Sequence, residues 1–237
     1  MHSQTQELGN IVSADKIFVN RFWQAASETA RLELSEELLM SQPDPTELYE
    51  LLKKGPHYSD EVTLGEQVLS RTNSSGTEFP YMVKIPEDYE PQRQWPVEFV
   101  LHGGVGRPKP GSGENFWQRS YDRIGQPGRI TVVPLAWPGV VWWQDEQADN
   151  LVAILNSLKS TYNIDENQVS LTGISDGGTG VYFYAFKQPT QWASFMPYIG
   201  HPGVLRNPQS GGGYRLYFEN LMNKPLYIVN GENDRLY

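Results

Sequence analysis

Between residues 95 and 229, five short apolar runs alternate with four longer amphipathic stretches, and no other feature constrains the fold as tightly. The runs, read as strands, are 95–102, 129–134, 168–172, 193–199 and 225–229; the stretches, read as helices, are 114–124, 146–162, 176–187 and 214–222. The helix at 146–162 carries Leu151, Ile154, Leu155 and Leu158 on one face. Strand–helix alternation of this kind predicts a mostly parallel sheet with helices on both faces. The strand compositions of 62–71 and 79–86 flank Asn73-Ser74-Ser75-Gly76, which predicts an antiparallel hairpin opening the sheet. In such a sheet, ligands meet the loops that leave the carboxyl ends of the strands.

The segment before Gly55-Pro56 has a different texture. Apolar residues recur at helical spacing (Ile17, Trp23; Leu32, Leu34, Leu38, Leu39; Leu48, Leu51, Leu52), with breaks at Pro43 and Pro45. Two or three amphipathic helices are expected there, giving a helical extension over 1–58 and an α/β domain over 59–237. A chain of 237 residues with 38% hydrophobic residues suffices for one such domain and a small appendage.

Charge and composition then remove several function classes. With 19 basic and 28 acidic residues the formal charge is −9, which repels polyanions, so no nucleic-acid partner is expected. No apolar run has the length of a membrane span, and the polar start from Met1 to Asn10 lacks the pattern of a secretory signal, so a soluble, cytoplasmic protein is expected. The absence of cysteine excludes disulfides, thiolate metal sites and a cysteine nucleophile. No cluster of histidines and acids has metal-ligand spacing, so no metal and no cofactor is expected.

Three motifs carry chemistry. Gly173-Ile174-Ser175-Asp176-Gly177 matches G-x-S-x-G between a predicted strand and a predicted helix, where a nucleophile sits on strained backbone and small residues two before and two after it let strand and helix pack closely. Val100-Leu101-His102-Gly103-Gly104 ends an earlier strand in two glycines, whose bare backbone can bring an N–H toward a developing oxyanion; a flexible glycine loop is the plainer alternative. Val229-Asn230-Gly231-Glu232-Asn233-Asp234 ends the last run with an acid two strands beyond the serine, placed to orient a histidine, or else forms an ordinary surface turn.

Together His102-Gly103-Gly104, Gly173-Ile174-Ser175-Asp176-Gly177-Gly178 and Gly231-Glu232-Asn233-Asp234 resemble the α/β-hydrolase superfamily. Trp142 to Asn150, Thr172 to Gly180 and Gly200-His201-Pro202 resemble its phospholipase/carboxylesterase, esterase-D-like branch, and the resemblance spans about 62–237. It implies a serine carboxylic-ester hydrolase working through an acyl-enzyme on a small-molecule ester. Ser175 would be the nucleophile, the N–H of Asp176 with that of Gly103 or Gly104 the oxyanion hole, and Asp234 the acid that orients the base.

The pattern then breaks. The family places a histidine after the acid, whereas the histidines here are His2, His57, His102 and His201, and all precede Asp234. The expectation is of a chain truncated before its last strand and histidine loop, with weak or no turnover by itself; the alternative is a non-catalytic binding protein on the same fold. His201, at the end of the run 193–199, is the one surrogate base within reach, though its Gly-His-Pro setting fits a structural role better. Trp137, Trp142 and Trp143, in the loop after 129–134, either line a substrate cleft or cap the core beneath it. The run 225–229 would lie at the edge of the sheet, open to self-association as a homo-oligomer or to coverage by the N-terminal helices.

Overall fold

The computed structural model describes residues 14–25, 28–109, 111 and 127–234. It divides into two units, Met1–Ser59 and Asp60–Tyr237.

In the first unit, α1 (Ala14–Gln24) packs against both α2 (Glu28–Met40) and α3 (Pro45–Lys53). The start of α3 follows directly from sequence. Asp44 accepts from the N–H groups of Thr46 and Glu47 at 2.9 Å, and Pro45 fills the first helical position, where no N–H is needed. The apolar stripe expected here is only partly used. Leu34, Leu38, Leu48 and Leu51 are half-buried, whereas Ile17, Leu32, Leu39 and Leu52 are exposed.

The second unit opens with the expected hairpin. Strands β1 (Gly65–Thr72) and β2 (Glu78–Ile85) pair antiparallel with Thr72 opposite Glu78. The turn is closed by the Asn73 side chain, whose Oδ1 accepts from the N–H groups of Ser75 at 3.1 Å and Thr77 at 2.8 Å. β2 then pairs antiparallel with β4 (Ile130–Pro134), and from there the sheet is parallel through β3 (Trp95–Leu101), β5 (Ile164–Ile174) and β6 (Ser194–Tyr198). The resulting order is β1-β2-β4-β3-β5-β6.

The chain leaves β3 for β4 on one side and returns to β5 on the other. The strand order therefore reverses around β3, and a crevice is expected at the carboxyl ends there. Burial fits this central position. Trp95, Val97, Phe99 and Leu101 of β3 are fully buried, and β4 is buried along its whole length. The helix α4 (Asp145–Thr161) buries Ala148, Leu151, Ile154, Leu155 and Leu158, the predicted stripe with one addition. Helix α5 (Asp176–Lys187) is buried from Gly177 through Phe186. The helix expected at 114–124 lies outside the described residues.

One predicted helix is overturned. Residues 214–217 form no helix, and only a short 3-10 turn, Phe218–Leu221, follows, with another at Pro208–Ser210. The backbone of Tyr214 is committed elsewhere: its N–H donates to the Leu205 carbonyl at 2.9 Å, and its hydroxyl donates to the Trp143 carbonyl at 2.6 Å. Tyr214 and Leu216 are half-buried against the core while Arg215 and Tyr217 are exposed. That is a period of two, which the aromatic-rich composition disguised.

The expected run 225–229 does join the sheet, bridging β6 in parallel at Phe195–Leu226 and Tyr198–Val229. Its Tyr227 and Val229 N–H groups donate to Phe195 and Pro197 at 2.9 and 3.2 Å. Among the described residues nothing bonds the N–H groups of Leu226 and Ile228, which lie on the outer edge. Amide exchange should therefore alternate, slow at 227 and 229 and fast at 226 and 228. Uniformly slow exchange across all four amides would show the outer edge to be paired, as self-association would make it.

Candidate active site

The site is built around a backbone that only a tight crossing permits. Ser175 joins β5 to α5 with φ +56° and ψ −119°, a conformation that side-chain-bearing residues rarely adopt. Bonds on both sides hold it there. Its N–H donates to the Tyr198 carbonyl of β6 at 3.0 Å, and its carbonyl accepts from the Thr179 N–H at 2.9 Å as the first turn of α5 forms.

Glycines make the crossing possible. A Cβ on Gly173 would run into the Gly177 backbone, and one on Gly177 into the carbonyls of Leu101 and His102 at the end of β3. These are the two glycines of the G-x-S-x-G pattern. The sequence reading missed a second pair, Gly178 against Gly200, where a Cβ on the former would lie 2.6 Å from the Tyr198 carbonyl oxygen and 3.0 Å from the Gly200 Cα.

The loop after β3 lies directly alongside. A Cβ built on Gly103 would be 3.0 Å from the Ser175 Cβ and 3.6 Å from its Oγ, so the bare Gly103 backbone flanks the serine side chain. Gly104, at φ +72°, instead faces the Arg107 side chain. Asp176, half-buried at the start of α5, reaches back to this loop, its Oδ2 accepting from the Val105 N–H at 3.0 Å.

His102 holds the loop from its other end. Nε2 accepts from the Ala136 N–H at 3.0 Å, which assigns the proton to Nδ1, and Nδ1 then donates to the Gly103 carbonyl at 2.8 Å. Its own carbonyl accepts from Trp142 Nε1 at 2.8 Å. Burial pushes the imidazole below the ordinary histidine value of 6.5, against a smaller upward pull from its bond to Gly103. The ring is thus a neutral strut between the β3 and β4 loops.

The three tryptophans divide. Trp142 is fully buried and Trp143 nearly so, and their indole N–H groups are spent on the carbonyls of His102 and Ser210, at 2.8 and 3.0 Å. Of the two alternatives the sequence left open, these two indoles take the second and cap the core beneath the loop. Trp137 alone keeps a half-exposed ring, beneath the Lys109 ammonium at 4.9 Å from its centroid.

His201 and Asp234 follow β6 and the segment 225–229 respectively, so they leave the sheet at the same end as Ser175 and Gly103. The His201 N–H donates to Thr179 Oγ1 at 3.1 Å, and its imidazole lies over Gly203, where an added Cβ would strike it. Asp234 closes a turn in which its N–H donates to the Gly231 carbonyl at 3.2 Å. Sequence reasoning passed over Gln147 and Asn150, both fully buried on α4. Gln147 Nε2 donates to the Leu135 carbonyl at 2.6 Å, Asn150 donates to Gln147 at 2.8 Å, and Arg71 donates to Asn150 at 3.2 Å. Their signal was polar residues at the helical spacing of the apolar stripe. Among the described residues no group of three or more histidines or acids is placed to hold a metal, and no helix is long and apolar enough to cross a membrane.

Two outcomes follow. Gly177→Ala is expected to destabilise the fold by about 3 kcal/mol or more, read from urea unfolding, because the added methyl meets backbone that cannot move aside. Since the native His102 lies below 6.5, the unfolded chain takes up its proton first as pH falls. Its stability contribution is complete above about 6.5 and is lost progressively below that toward the native value. His102→Gln, which does not titrate, should shrink the acid slope of the unfolding midpoint; an unchanged slope would contradict the neutral strut.

No protein-family model matches the chain, and no curated protein matches it in sequence. Solved structures do match in fold. An S-formylglutathione hydrolase from Staphylococcus aureus superposes with a TM-score of 0.53 at 14% identity, covering 76% of this chain and 82% of that one. A poly(3-hydroxybutyrate) depolymerase from Bordetella parapertussis gives 0.52 at 20% identity, covering 73% and 67%. Against a thermostable esterase the chain spans about half of that protein's length, 55%, with 71% of this chain covered, 19% identity and a TM-score of 0.49. With its mixed six-stranded sheet, antiparallel at the start and parallel beyond, the chain has the α/β-hydrolase fold.

Proposed function

We propose that this chain is a serine hydrolase of carboxylic esters that works through an acyl-enzyme on Ser175. The observation that carries the reading is the strained backbone at Ser175, set between β5 and α5 with the bare backbone of Gly103 against its side chain. In this reading Ser175 Oγ attacks the ester carbonyl, and the N–H of Asp176 with that of Gly103 or Gly104 receives the oxyanion. Collapse expels the alcohol, which leaves with a proton, and water then releases the acid and restores the serine. The fold shared with an S-formylglutathione hydrolase and a poly(3-hydroxybutyrate) depolymerase supports acyl transfer, and short acyl esters are the first substrates to try. The half-exposed ring of Trp137 would suit an apolar or aromatic group.

His201 is the candidate base among these residues. It follows β6 and leaves the sheet at the same end as Ser175 and Asp234, with its imidazole over Gly203. Were His201 not to serve, turnover would rest mainly on the oxyanion donors, which leave about 10³- to 10⁴-fold catalysis over water when a triad lacks its base. The second reading is a binding protein on a hydrolase fold.

A fluorophosphonate probe separates the two readings. The esterase reading expects covalent labelling at Ser175 that vanishes in Ser175→Ala. An unlabelled serine would favour the binding protein. Labelling abolished by His201→Ala would make His201 the base.

A further inference from the structure

The Asp176 carboxylate has no part in the mechanism above, which uses only the backbone N–H of that residue. We propose that this carboxylate is a positioning group, which fixes the loop facing Ser175 by holding the Val105 amide, so that the Gly103 and Gly104 amides stay aimed at the oxyanion. The proposal rests on the reading of Ser175 as nucleophile and deepens it.

The geometry is that of a loop clamped at both ends. At the near end His102 is fixed by the Ala136 N–H, by the Gly103 carbonyl and by Trp142. At the far end the Val105 side chain is buried in the core, and its N–H donates to Asp176 Oδ2 at 3.0 Å. Between the clamps lie two glycines, one of them at φ +72°, the residues with the least backbone preference of their own. A turn from the Gly104 carbonyl to the Arg107 N–H, at 3.1 Å, tightens the far side without tying it to the serine. Of these contacts only the Asp176 bond joins the far end of the loop to the elbow itself. Asp176 adjoins Ser175 and begins α5, so its backbone is placed by the same turn that places the serine.

The bond also occupies the Val105 N–H, which leaves Gly103 and Gly104 as the loop's free-standing candidates for the oxyanion hole. A carboxylate this near a developing negative charge opposes catalysis electrostatically, although the start of α5 is a favourable place for it. What the group supplies is therefore an acceptor at a fixed point, and an uncharged acceptor of the same shape should serve as well.

The test compares the wild-type chain, Asp176→Asn and Asp176→Ala by fluorophosphonate inactivation and by amide exchange. Asp176→Ala should lower the maximal inactivation rate about 10- to 100-fold while the half-saturating probe concentration stays within about twofold. Asp176→Asn should stay within about threefold of wild type in rate. The Val105 amide should exchange at least about tenfold faster in Asp176→Ala, with Phe99 in β3 unchanged. The proposal is overturned by an unchanged inactivation rate in Asp176→Ala, by a loss in Asp176→Asn as large as in Asp176→Ala, or by fast Val105 exchange in wild type, which needs no variant to fold. A wild-type chain that takes no label would sink the Ser175 reading instead, and Val105 exchange would then decide the clamp by itself.

Discussion

The close crossing of β5 and α5 over the end of β3 governs the rest of the structure. Gly173, Gly177 and Gly178 bring backbone to backbone where any side chain would collide, and Gly200 repeats the device one strand further out. Close packing is what allows a serine to be held at φ +56°, a conformation that costs of order 1–3 kcal/mol and persists only when its surroundings leave no alternative. The hydrogen bond from the Ser175 N–H to Tyr198 adds β6 to the same knot. Three neighbouring strands and one helix therefore meet within a single turn of the chain.

Polar groups hold the loops around that knot, and burial makes them strict. His102 joins the β3 loop to Ala136 in the β4 loop, and Gln147 ties Leu135 to α4 with Asn150 and Arg71 behind it. Each bond is worth only about 1 kcal/mol when made, but a buried partner left unsatisfied costs about 1–3 kcal/mol. Trp143 and Tyr214 extend the brace by exchanging bonds between 143 and the segment 210–214, which ties the β4 loop to the loop after β6. The cleft rim is thus carried by side chains that never need to touch a ligand.

Much of this was legible in sequence because it is local. The alternation of runs and stretches, the Asn73 hairpin, the capped start of α3 and the G-x-S-x-G elbow each follow from residues a few positions apart. What escaped depends on distant partners. Tyr214 looks helical until its hydroxyl is seen on Trp143, 71 residues away, and the choice between cleft and core for Trp142 is made only by its indole on the His102 carbonyl, 40 residues away. Gln147 and Asn150 give no signal of their own in sequence beyond their spacing, and they are buried because β1 and the β4 loop supply their partners. Gly178 and Gly200 form a pair only once β5 and β6 are neighbours.

The position of β3 between β4 and β5 also bears on how the molecule is made. Both neighbours of β3 come later in the chain, and β5 is complete only at Ile174. During vectorial synthesis the strand carrying Trp95, Val97, Phe99 and Leu101 has an open edge until more than 70 further residues have been added. Such non-local parallel pairing is slow, because loop closure comes before any contact rewards it. The nascent chain is therefore exposed to aggregation while this apolar strand waits for the segment that ends in the elbow, and the order in which the strands appear makes that strand and the serine turn reach their final surroundings together.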